Sequence, residues 1–301
     1  MGPSPHMTGY VHPAAIVDPE AVLGAGVRVG PFAVIGPGVE IGDGTEVGAG
    51  AQVQGPARIG RHNRIFPQAA VGFEPQDLKF KGELVRLEVG DRNQFREFCT
   101  IHRGTAPGGG VTTIGSGNLF MAYTHVAHDC HVGDETVFAN GATLAGHVEV
   151  QDHATVGAFT AVHQHCRIGR HAYLGGFTIV TMDVLPFCKT VGQHAACYGL
   201  NSIGLRRQGF SVENLSRLRR AVRILTRSGL NTRQALARLR EELSGTPDVD
   251  YLIDFVGTSR RGIHKAPPRG GRGTSAEGEQ PEQTEQSEQS ERVERPARPA
   301  R

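Results

Sequence analysis

Apolar residues recur at every sixth position over most of the chain. Every member of this register is aliphatic from residue 17 to residue 71, every member is apolar from residue 114 to residue 180, and Val89, Phe95 and Ile101 continue the register between them. A six-residue period matches neither an α-helix nor an alternating strand, and it predicts short strands separated by regular corners. Three such strands close one coil of 18 residues with the apolar side chains inside. Because neighbouring strands lie about 4.8 Å apart, the pattern predicts a solenoid of stacked coils.

Two segments interrupt the period, near residues 73–86 and 102–113. Insertions in a solenoid lie on its surface, where binding residues concentrate. The last stretch of the chain is rich in Glu, Gln, Pro and Ser and cannot bury a core, so it is expected to be disordered. The predicted organisation is an N-terminal segment (1–13), a solenoid (14–190), an α-helical domain (191–263) and a low-complexity tail (264–301).

Helical spacing replaces the six-residue period in the α-helical domain. Ser211, Asn231 or Thr232, and Thr246 followed by Pro247 are candidate helix starts. We expect these helices to cover an open end of the solenoid. Ten Arg against three Glu between residues 205 and 243 predict either an ordinary solvated face or a docking surface for an acidic protein.

Composition narrows the classes of function. The 41 glycines suit a chain that turns a corner every few residues. The 32 Lys and Arg nearly balance the 30 Asp and Glu, which argues against nucleic acid or an anionic membrane as a bulk partner. The chain has no apolar stretch long enough to predict a membrane span. Five cysteines without a CxxC pair predict free thiols in the cytoplasm rather than a disulfide framework.

Eight of the 14 histidines lie between residues 125 and 171. Positions 18 apart should stack, so we expect Gly146 one coil above His128, with Asp129 in the neighbouring column. Histidine titrates near neutral pH and suits general-base work, and a glycine above it could present a backbone N–H to an oxyanion. Scattered surface histidines or a metal site would also account for such a cluster. No metal is expected, because the register excludes the helix on which the histidines of 125–131 would align as ligands.

Several segments, in order, resemble motifs of the UDP-N-acetylglucosamine acyltransferase family. The matching segments are PQDLKFKGE (75–83), GDRNQFREFCTIHRGT (90–105), THVAHDCHVG (124–133), NGATLAGHV (140–148), AVHQHCRIG (161–169) and GLRRQGF (204–210). The resemblance covers roughly residues 9–263. It implies a mainly β fold, a left-handed parallel β-helix of hexapeptide repeats with a C-terminal α-helical domain, assembled as a homotrimer with active sites between subunits.

The resemblance also implies a reaction. A 3-hydroxyacyl chain would move from the phosphopantetheine arm of acyl carrier protein to the 3-hydroxyl of UDP-N-acetylglucosamine, as the first step of lipid A biosynthesis. No metal and no separate cofactor would take part. His128 matches the general base of the family, Asp129 the carboxylate beside it, and Gly146 the oxyanion donor. Gly176 matches a position that sets acyl-chain length, where glycine implies a long chain.

Further residues match substrate-binding positions of the family. Asp77 and Lys79 match sugar contacts that reach from the adjoining subunit. The full set of expected substrate contacts is Gln76, Asp77, Lys79, His125, His147, His163, Gln164, His194, Asn201 and Arg207.

The chain departs from the family pattern in the uridine-diphosphate region. Ile203 stands where Glu is usual, Gln208 stands where a second Arg is usual, and the segment 194–199 reads HAACYG. These departures leave open a 3-amino sugar nucleotide as the acceptor. The six-residue period also fits the N-acyltransferase that acts later in lipid A synthesis, a CoA-dependent hexapeptide acetyltransferase and a trimeric scaffold without activity.

Overall fold

A computed structural model of the chain describes residues 9–267. The first eight residues, and all but the first four of the predicted low-complexity tail, lie outside the described residues. Within them, short strands run in parallel around a three-sided coil. Successive strands lie on successive faces of the coil, so each of the three sheets contains every third strand.

The strands follow one another in the order in which the coils stack. Up to and including the strand that follows the second interruption they are β1 (Tyr10–Val11), β2 (Ile16–Val17), β3 (Val22–Leu23), β4 (Arg28–Val29), β5 (Val34–Ile35), β6 (Val39–Ile41), β7 (Glu46–Val47), β8 (Gln52–Val53), β9 (Ala57–Ile59), β10 (Arg64–Ile65), β11 (Ala70–Phe73), β12 (Arg86–Val89), β13 (Gln94–Phe95), β14 (Thr100–His102) and β15 (Val111–Ile114). Beyond it they are β16 (Leu119–Phe120), β17 (His125–Val126), β18 (His131–Val132), β19 (Val137–Phe138), β20 (Thr143–Leu144), β21 (Glu149–Val150), β22 (Thr155–Val156), β23 (Ala161–Val162), β24 (Arg167–Ile168), β25 (Tyr173–Leu174), β26 (Ile179–Val180), β27 (Cys188–Val191) and β28 (Ala196–Leu200).

The strand register confirms the 18-residue coil. His125 of β17 pairs with Thr143 of β20, which pairs in turn with Ala161 of β23. The offset differs where the chain inserts a loop: Ala70 pairs with Thr100 across the first interruption, and Thr100 pairs with His125 across the second. The coils therefore remain in register while both insertions leave the stack, one between β11 and β12 and one between β14 and β15.

The apolar residues of the six-residue register form the core, as the sequence predicts. Most of the short strands turn one apolar side chain inward and its neighbour outward; in β4, Val29 is 1 % exposed and Arg28 is exposed. The rings of Phe95, Phe120 and Phe138 stack inside the prism with centroids 5.0 and 4.9 Å apart. This continuous core fixes the positions of the corners, where the outward residues carry the chemistry.

Helices pack against the last coils. They are α1 (Ser202–Arg207), α2 (Val212–Arg227), α3 (Thr232–Leu243) and α4 (Pro247–Gly257), and the hairpin of β27 and β28 precedes them. The predicted caps Ser211 and Asn231 accept hydrogen bonds from the third residue of α2 and α3, respectively. None of these helices is long and apolar enough to cross a membrane, within the residues that the structure describes.

An ion pair joins the solenoid to the helices. Asp183 is 1 % exposed, and its carboxylate accepts hydrogen bonds from Nε and Nη2 of Arg167, both at 3.0 Å, and from the hydroxyl of Ser259 at 2.8 Å. The same guanidinium donates to the carbonyl oxygen of Phe255 in α4 at 2.7 Å and lies over the Phe255 ring. The helical cover is thus anchored to the top coil by polar contacts as well as by its apolar faces.

Candidate active site

His128 and Asp129 occupy the corner between β17 and β18. Nδ1 of His128 lies 2.7 Å from Oδ2 of Asp129. Asp129 is 2 % exposed, whereas the His128 side chain keeps 15 % of its surface exposed. Because an ionised carboxylate only accepts hydrogen bonds, this pairing assigns the proton to Nδ1. Nε2 of His128 is then free to accept a proton from a bound group.

Gly146 lies one coil above His128, as the 18-residue spacing predicts. A Cβ atom on Gly146 would stand 2.5 Å from Cε1 and 2.8 Å from Nε2 of His128, so only glycine lets the imidazole lie against this backbone. The N–H of Gly146 finds no acceptor among residues 9–267. A free backbone N–H beside the exposed imidazole nitrogen is the geometry that an oxyanion requires.

His147 and His165 continue the neighbouring corner column. The His147 ring meets the His128 ring edge-on at 5.2 Å and stacks on His165 at 4.4 Å. Nε2 of His147 lies 3.8 Å from Oδ2 of Asp129. Burial lowers the pKa of His147, and the carboxylates of Asp129 and Asp77 partly oppose that shift.

Two more histidines line the face beside this corner. Nδ1 of His125 lies 2.7 Å from the hydroxyl of Thr100, and the rings of His125 and His102 meet edge-on at 5.1 Å. Burial lowers the pKa of His125, and it lowers the pKa of His102 to about 4. Both rings are therefore neutral near pH 7 and add no positive charge around His128.

The second insertion closes over Asp129, which the sequence analysis did not predict. The N–H of Thr105 donates to Oδ1 of Asp129 at 2.8 Å, and the Thr105 hydroxyl lies 2.6 Å from Oδ2. The N–H of Asp129 donates to the hydroxyl of Thr112 at 2.8 Å. Thr105 also caps the 3-10 turn Ala106–Gly108, and a threonine followed by Ala-Pro is the one sequence signal that points to this turn.

The first insertion is fixed at its start by Arg103. Arg103 is 8 % exposed, and its guanidinium donates to the carbonyl oxygen of Gly55 and lies 3.8 Å from Oε1 of Glu74. The N–H of Arg103 donates to the carbonyl oxygen of Phe73 at 2.9 Å. The two insertions are therefore joined where they leave the stack.

The first insertion carries Gln76, Asp77 and Lys79. The side chains of Gln76 and Lys79 are exposed, and Oδ1 of Asp77 accepts the N–H of Lys79 at 2.9 Å. The Asp77 carboxylate is close enough to His147 of the same chain to act on its pKa. Contacts of these residues with an adjoining subunit stay a prediction.

Two of the remaining expected residues, His163 and Gln164, lie one coil above Ala145 and Gly146 at the same corner, as the 18-residue spacing predicts. The other three follow the last six-residue repeat of the solenoid. Hydrogen bonds within the described residues connect none of them to His128: His163 contacts the carbonyl oxygen of Gln164, and Asn201 caps α1 and donates to the carbonyl oxygen of His171. The other two, His194 and Arg207, are exposed in the β27–β28 turn and in the last turn of α1. A single chain thus brings His125, His128, Asp129, Gly146 and His147 together and stacks His163 and Gln164 on the next coil. The substrate contacts of all the expected residues stay predictions.

Gly176 lies at another corner, on the face shared with His125. The strands β17, β20, β23 and β26 form consecutive rungs of that face, and Gly176 precedes the last of them. A Cβ on Gly176 would meet only the backbone of Ala158, with the carbonyl oxygen at 3.3 Å. The outward surface at this corner is consequently open.

His128, Asp129 and His147 bring ligand atoms within 4.8 Å of one another, the one group of three metal-binding side chains found in residues 9–267. Both oxygens of the Asp129 carboxylate already accept hydrogen bonds from Thr105, and Oδ2 also accepts from His128. A metal ion would have to displace these contacts, so the chemistry of the donor set does not favour one. The prediction that the reaction needs no metal stays a prediction.

The neighbouring cysteine is not suited to nucleophilic chemistry. Cys130 is fully buried, its thiol contacts the carbonyl oxygen of Ala145, and burial raises its pKa to about 12. The thiolate, rather than the thiol, attacks carbonyl carbons. Cys130 is therefore excluded as the nucleophile.

Comparisons with known proteins agree on one family. The model for domain 2 of UDP N-acetylglucosamine O-acyltransferase matches residues 183–264, and the model for the bacterial transferase hexapeptide matches residues 20–55 and 112–146. The acyl-[acyl-carrier-protein]–UDP-N-acetylglucosamine O-acyltransferase of Anaeromyxobacter sp. (strain Fw109-5) is 53% identical over 253 residues, which are 84% of this chain and 98% of that protein.

Solved structures give the same result. The UDP-N-acetylglucosamine acyltransferase of Francisella novicida matches with a TM-score of 0.84 at 36% identity, over 86% of this chain and 95% of that one. The enzyme of the same name from Bacteroides fragilis matches with a TM-score of 0.83 at 40% identity, over 85% of this chain and 100% of that one. These matches span both the coils and the helices, and with the hexapeptide match they confirm the left-handed parallel β-helix.

Proposed function

The chain belongs to the UDP-N-acetylglucosamine O-acyltransferase family, and from that membership we propose how its own residues carry out the transfer. The chain is an acyltransferase that moves an acyl group from acyl carrier protein to UDP-N-acetylglucosamine, the first step of lipid A biosynthesis. The observation that carries the mechanism is the contact of His128 with both Asp129 and Gly146.

His128 acts as general base and then as general acid. Its Nε2 takes the proton from the 3-hydroxyl of the sugar while that oxygen attacks the carbonyl carbon of the acyl thioester. The C–O bond forms, and the carbonyl electron pair moves to oxygen, where the N–H of Gly146 donates to it. The tetrahedral intermediate then expels the phosphopantetheine thiolate, which receives the proton from Nε2. Asp129 keeps its hydrogen bond to Nδ1 and stabilises the imidazolium between the two transfers.

Substrate binding surrounds this corner. Lys79, His125 and His147 contact the sugar nucleotide together with the expected residues Gln76, Asp77, His163, Gln164, His194, Asn201 and Arg207. Gly176 limits the length of the acyl chain, since its open corner lies on the same face as His125, three strands further along the stack. The exposed arginines of α2, among them Arg219 and Arg223, receive the acidic carrier protein.

The working form is a homotrimer in the cytoplasm. A trimer would complete each site with residues from an adjoining subunit, which suits His194 and Arg207, since one chain leaves both exposed and apart from His128. It would also cover the exposed aromatic ridge at the corner that bears Gly176, where Phe98 stacks on Tyr123 and Phe159 stacks on Phe177. The five cysteines are all free and buried, which suits a reducing compartment.

An acyl-transfer assay tests the proposal. The purified protein receives 3-hydroxyacyl carrier proteins of several chain lengths with UDP-N-acetylglucosamine or its 3-amino analogue. We expect ester product from the first acceptor and a loss of at least about 10³-fold in kcat for His128→Ala. The matched control is His131→Ala, which removes an exposed histidine three residues away whose Nδ1 contacts Thr113.

Each other outcome has a defined meaning. A rate for His128→Ala equal to that of His131→Ala would exclude His128 as the base. Product only from the 3-amino analogue would assign the departures at Ile203 and Gln208 to a changed acceptor. Acyl-CoA is supplied in a parallel reaction, and product from acyl-CoA alone would show that the donor is acyl-CoA rather than the carrier protein.

A further inference from the structure

We propose that Thr105 is a positioning residue for acyl transfer, holding the Asp129 carboxylate in the orientation that directs His128. This inference rests on the proposed role of His128 as the base. It assigns a function to the second insertion, whose only regular element is the short 3-10 turn.

Thr105 is the main partner of the carboxylate. It donates to both oxygens of Asp129, through its N–H to Oδ1 at 2.8 Å and through its hydroxyl to Oδ2 at 2.6 Å. Oδ2 also accepts Nδ1–H of His128 at 2.7 Å. The carboxylate plane is therefore held at two points by one residue, and the third bond fixes the plane of the imidazole.

The direction of the hydroxyl bond is determined by its surroundings. The Thr105 oxygen accepts the N–H of Gly108 at 3.3 Å, so its single proton is left for Asp129. Thr105 is 3 % exposed and Asp129 is 2 % exposed, so water cannot replace the hydroxyl without opening the loop. A buried oxygen that loses this donor would be free to rotate towards His147, whose Nε2 lies 3.8 Å away.

The loop backbone is shaped to cover the carboxylate. A Cβ atom on Gly108 would overlap the carboxyl group of Asp129, so the turn approaches as closely as glycine allows. Thr112, at the far side of the turn, accepts the N–H of Asp129. Both sides of the second insertion thus end on Asp129, which is what a positioning element requires and what a simple surface loop does not.

The test compares variants that differ only in the hydroxyl. Thr105→Val keeps the shape and the N–H but removes the hydroxyl, whereas Thr105→Ser keeps both donors. We expect Thr105→Val to lower kcat about 10- to 100-fold, with the KM of each substrate changed less than about twofold, and Thr105→Ser to recover most of the rate. If the valine variant does not fold, Thr105→Ala removes the hydroxyl without placing a methyl group against the carboxylate.

The matched control is Thr136→Val. Thr136 is fully buried, and its hydroxyl donates to Oδ1 of Asn118 at 2.6 Å, so the substitution removes a bond of the same kind away from Asp129. Thermal unfolding of each variant is measured beside its rate. Equal losses of rate for Thr105→Val and Thr136→Val would overturn the proposal, because a general loss of stability would explain both.

A double-mutant cycle tests whether Thr105 acts on the rate through Asp129 or independently of it. If Thr105 acts through Asp129, Thr105→Val should have little further effect on kcat in an Asp129→Asn background. Additive losses would overturn the proposal. His128→Ala is measured in parallel: if that variant stays active, the proposed base is wrong, whereas a dead His128→Ala with a fully active Thr105→Val refutes only the role of Thr105.

Discussion

The corner that carries His128 recurs in the coils nearer the N-terminus, where different residues occupy it. The register pairs Val34 with Gln52, Gln52 with Ala70, Ala70 with Thr100 and Thr100 with His125, so the third residue beyond each strand start falls at the same corner. In the early coils this corner reads Pro37-Gly38 and Gly55-Pro56. In the later coils it reads His128-Asp129 and Gly146-His147.

The backbone at three of these corners is alike although the residues differ, whereas the Gly55-Pro56 corner has a cis peptide bond. Gly38 has a φ of 64°, and Asp129 and His147 have φ values of 58° and 61°. Glycine adopts this left-handed conformation freely, whereas other residues are disfavoured there by about 1 kcal/mol, with Asp and His among the better tolerated. Phe98 and Tyr123 adopt it too, so the conformation belongs to the solenoid corner rather than to catalysis. Chemistry can therefore be placed at a corner without changing the core that supports it.

The largest expected effect comes from giving the catalytic corner a side chain. Gly146→Ala would place a methyl group 2.5 Å from Cε1 of His128 and displace the ring from the oxyanion donor. We expect kcat to fall by about 10³-fold or more. The control is Pro37→Ala at the same corner of an early coil, and steady-state kinetics compare the two variants. An active Gly146→Ala would contradict the proposed oxyanion site.

The next effect concerns the helical cover, which only the later coils contact. Asp183→Ala leaves the Arg167 guanidinium without its buried partner, so we expect the free energy of unfolding to fall by about 3 kcal/mol. Urea denaturation measures the change. Glu213→Ala is the control because it breaks an exposed pair with Arg217. Equal stability of the two variants would show that the buried ion pair does not anchor the helices.

The dependence of stability on acid pH should also differ between the early coils and the late coils. Burial lowers the pKa of His171 to about 4 from 6.5. As the pH falls, the unfolded chain therefore binds a proton at this histidine before the folded chain does. This histidine therefore contributes stability above about pH 6.5 that is lost as the pH falls towards 4. We expect His171→Phe to reduce the loss of unfolding free energy between pH 7.5 and 5 by about 1 to 2 kcal/mol. The Phe187 and Phe210 rings lie 5.9 and 5.2 Å from that of His171 and suit the new ring.

His62→Phe provides the control for acid sensitivity. His62 is exposed at the same corner column in an early coil, so the substitution adds a ring there without changing a buried group. Urea denaturation at both pH values is compared for the two variants. Parallel behaviour of the two would contradict the assignment to His171.

The preference for acyl-chain length should change when the corner at Gly176, which bears no catalytic residue, is filled. Gly176→Met fills the open corner, and we expect the ratio of kcat/KM between long and short acyl chains to fall about tenfold, since the methionine side chain would block a long acyl chain at this corner. Gly30→Met would not serve as a control, because a Cβ there meets the backbone of Ala49 at 2.9 Å. Ser216→Met, on α2, serves instead. An unchanged preference in Gly176→Met would refute the length-setting role.

The smallest effect is expected from metal removal. Dialysis against a chelator should leave the acyl-transfer rate within about twofold of its starting value, because both oxygens of Asp129 are engaged by Thr105. The rate is measured before dialysis, after it, and after Zn²⁺ or Mg²⁺ is added back. A loss that the added ion restores would place a metal between His128, Asp129 and His147.

The sequence predicts the contacts between residues whose spacing follows the 18-residue coil. Counting by 18 stacks Gly146 on His128 and places Asp129 beside them, and the structure confirms this because the inward apolar residues hold the register. The caps Ser211 and Asn231 are likewise local signals, and both are confirmed.

The 18-residue spacing does not predict contacts between residues on opposite sides of an insertion. Thr105 reaches Asp129 from 24 residues away and Arg103 reaches Gly55 from 48, because loops of unequal length separate the coils that they join. No period relates these positions, and only the folded chain brings them together. The substrate contacts beyond this corner depend on molecules outside the single chain, so they rest on the resemblance and stay predictions.

The constant rise of the coils has a consequence for how such an enzyme can change its product. From the rung of His125 to the rung that follows Gly176 there are three strand spacings, roughly 14 Å along the axis. A blocking residue can be moved to an equivalent corner only in whole spacings, each roughly the length of four methylene groups, because an extended alkyl chain advances about 1.25 Å per carbon. Substitutions that move the blocking residue from one coil to the next would thus change the preferred acyl chain in coarse steps of length. Finer changes must come from the size of the side chain at one corner.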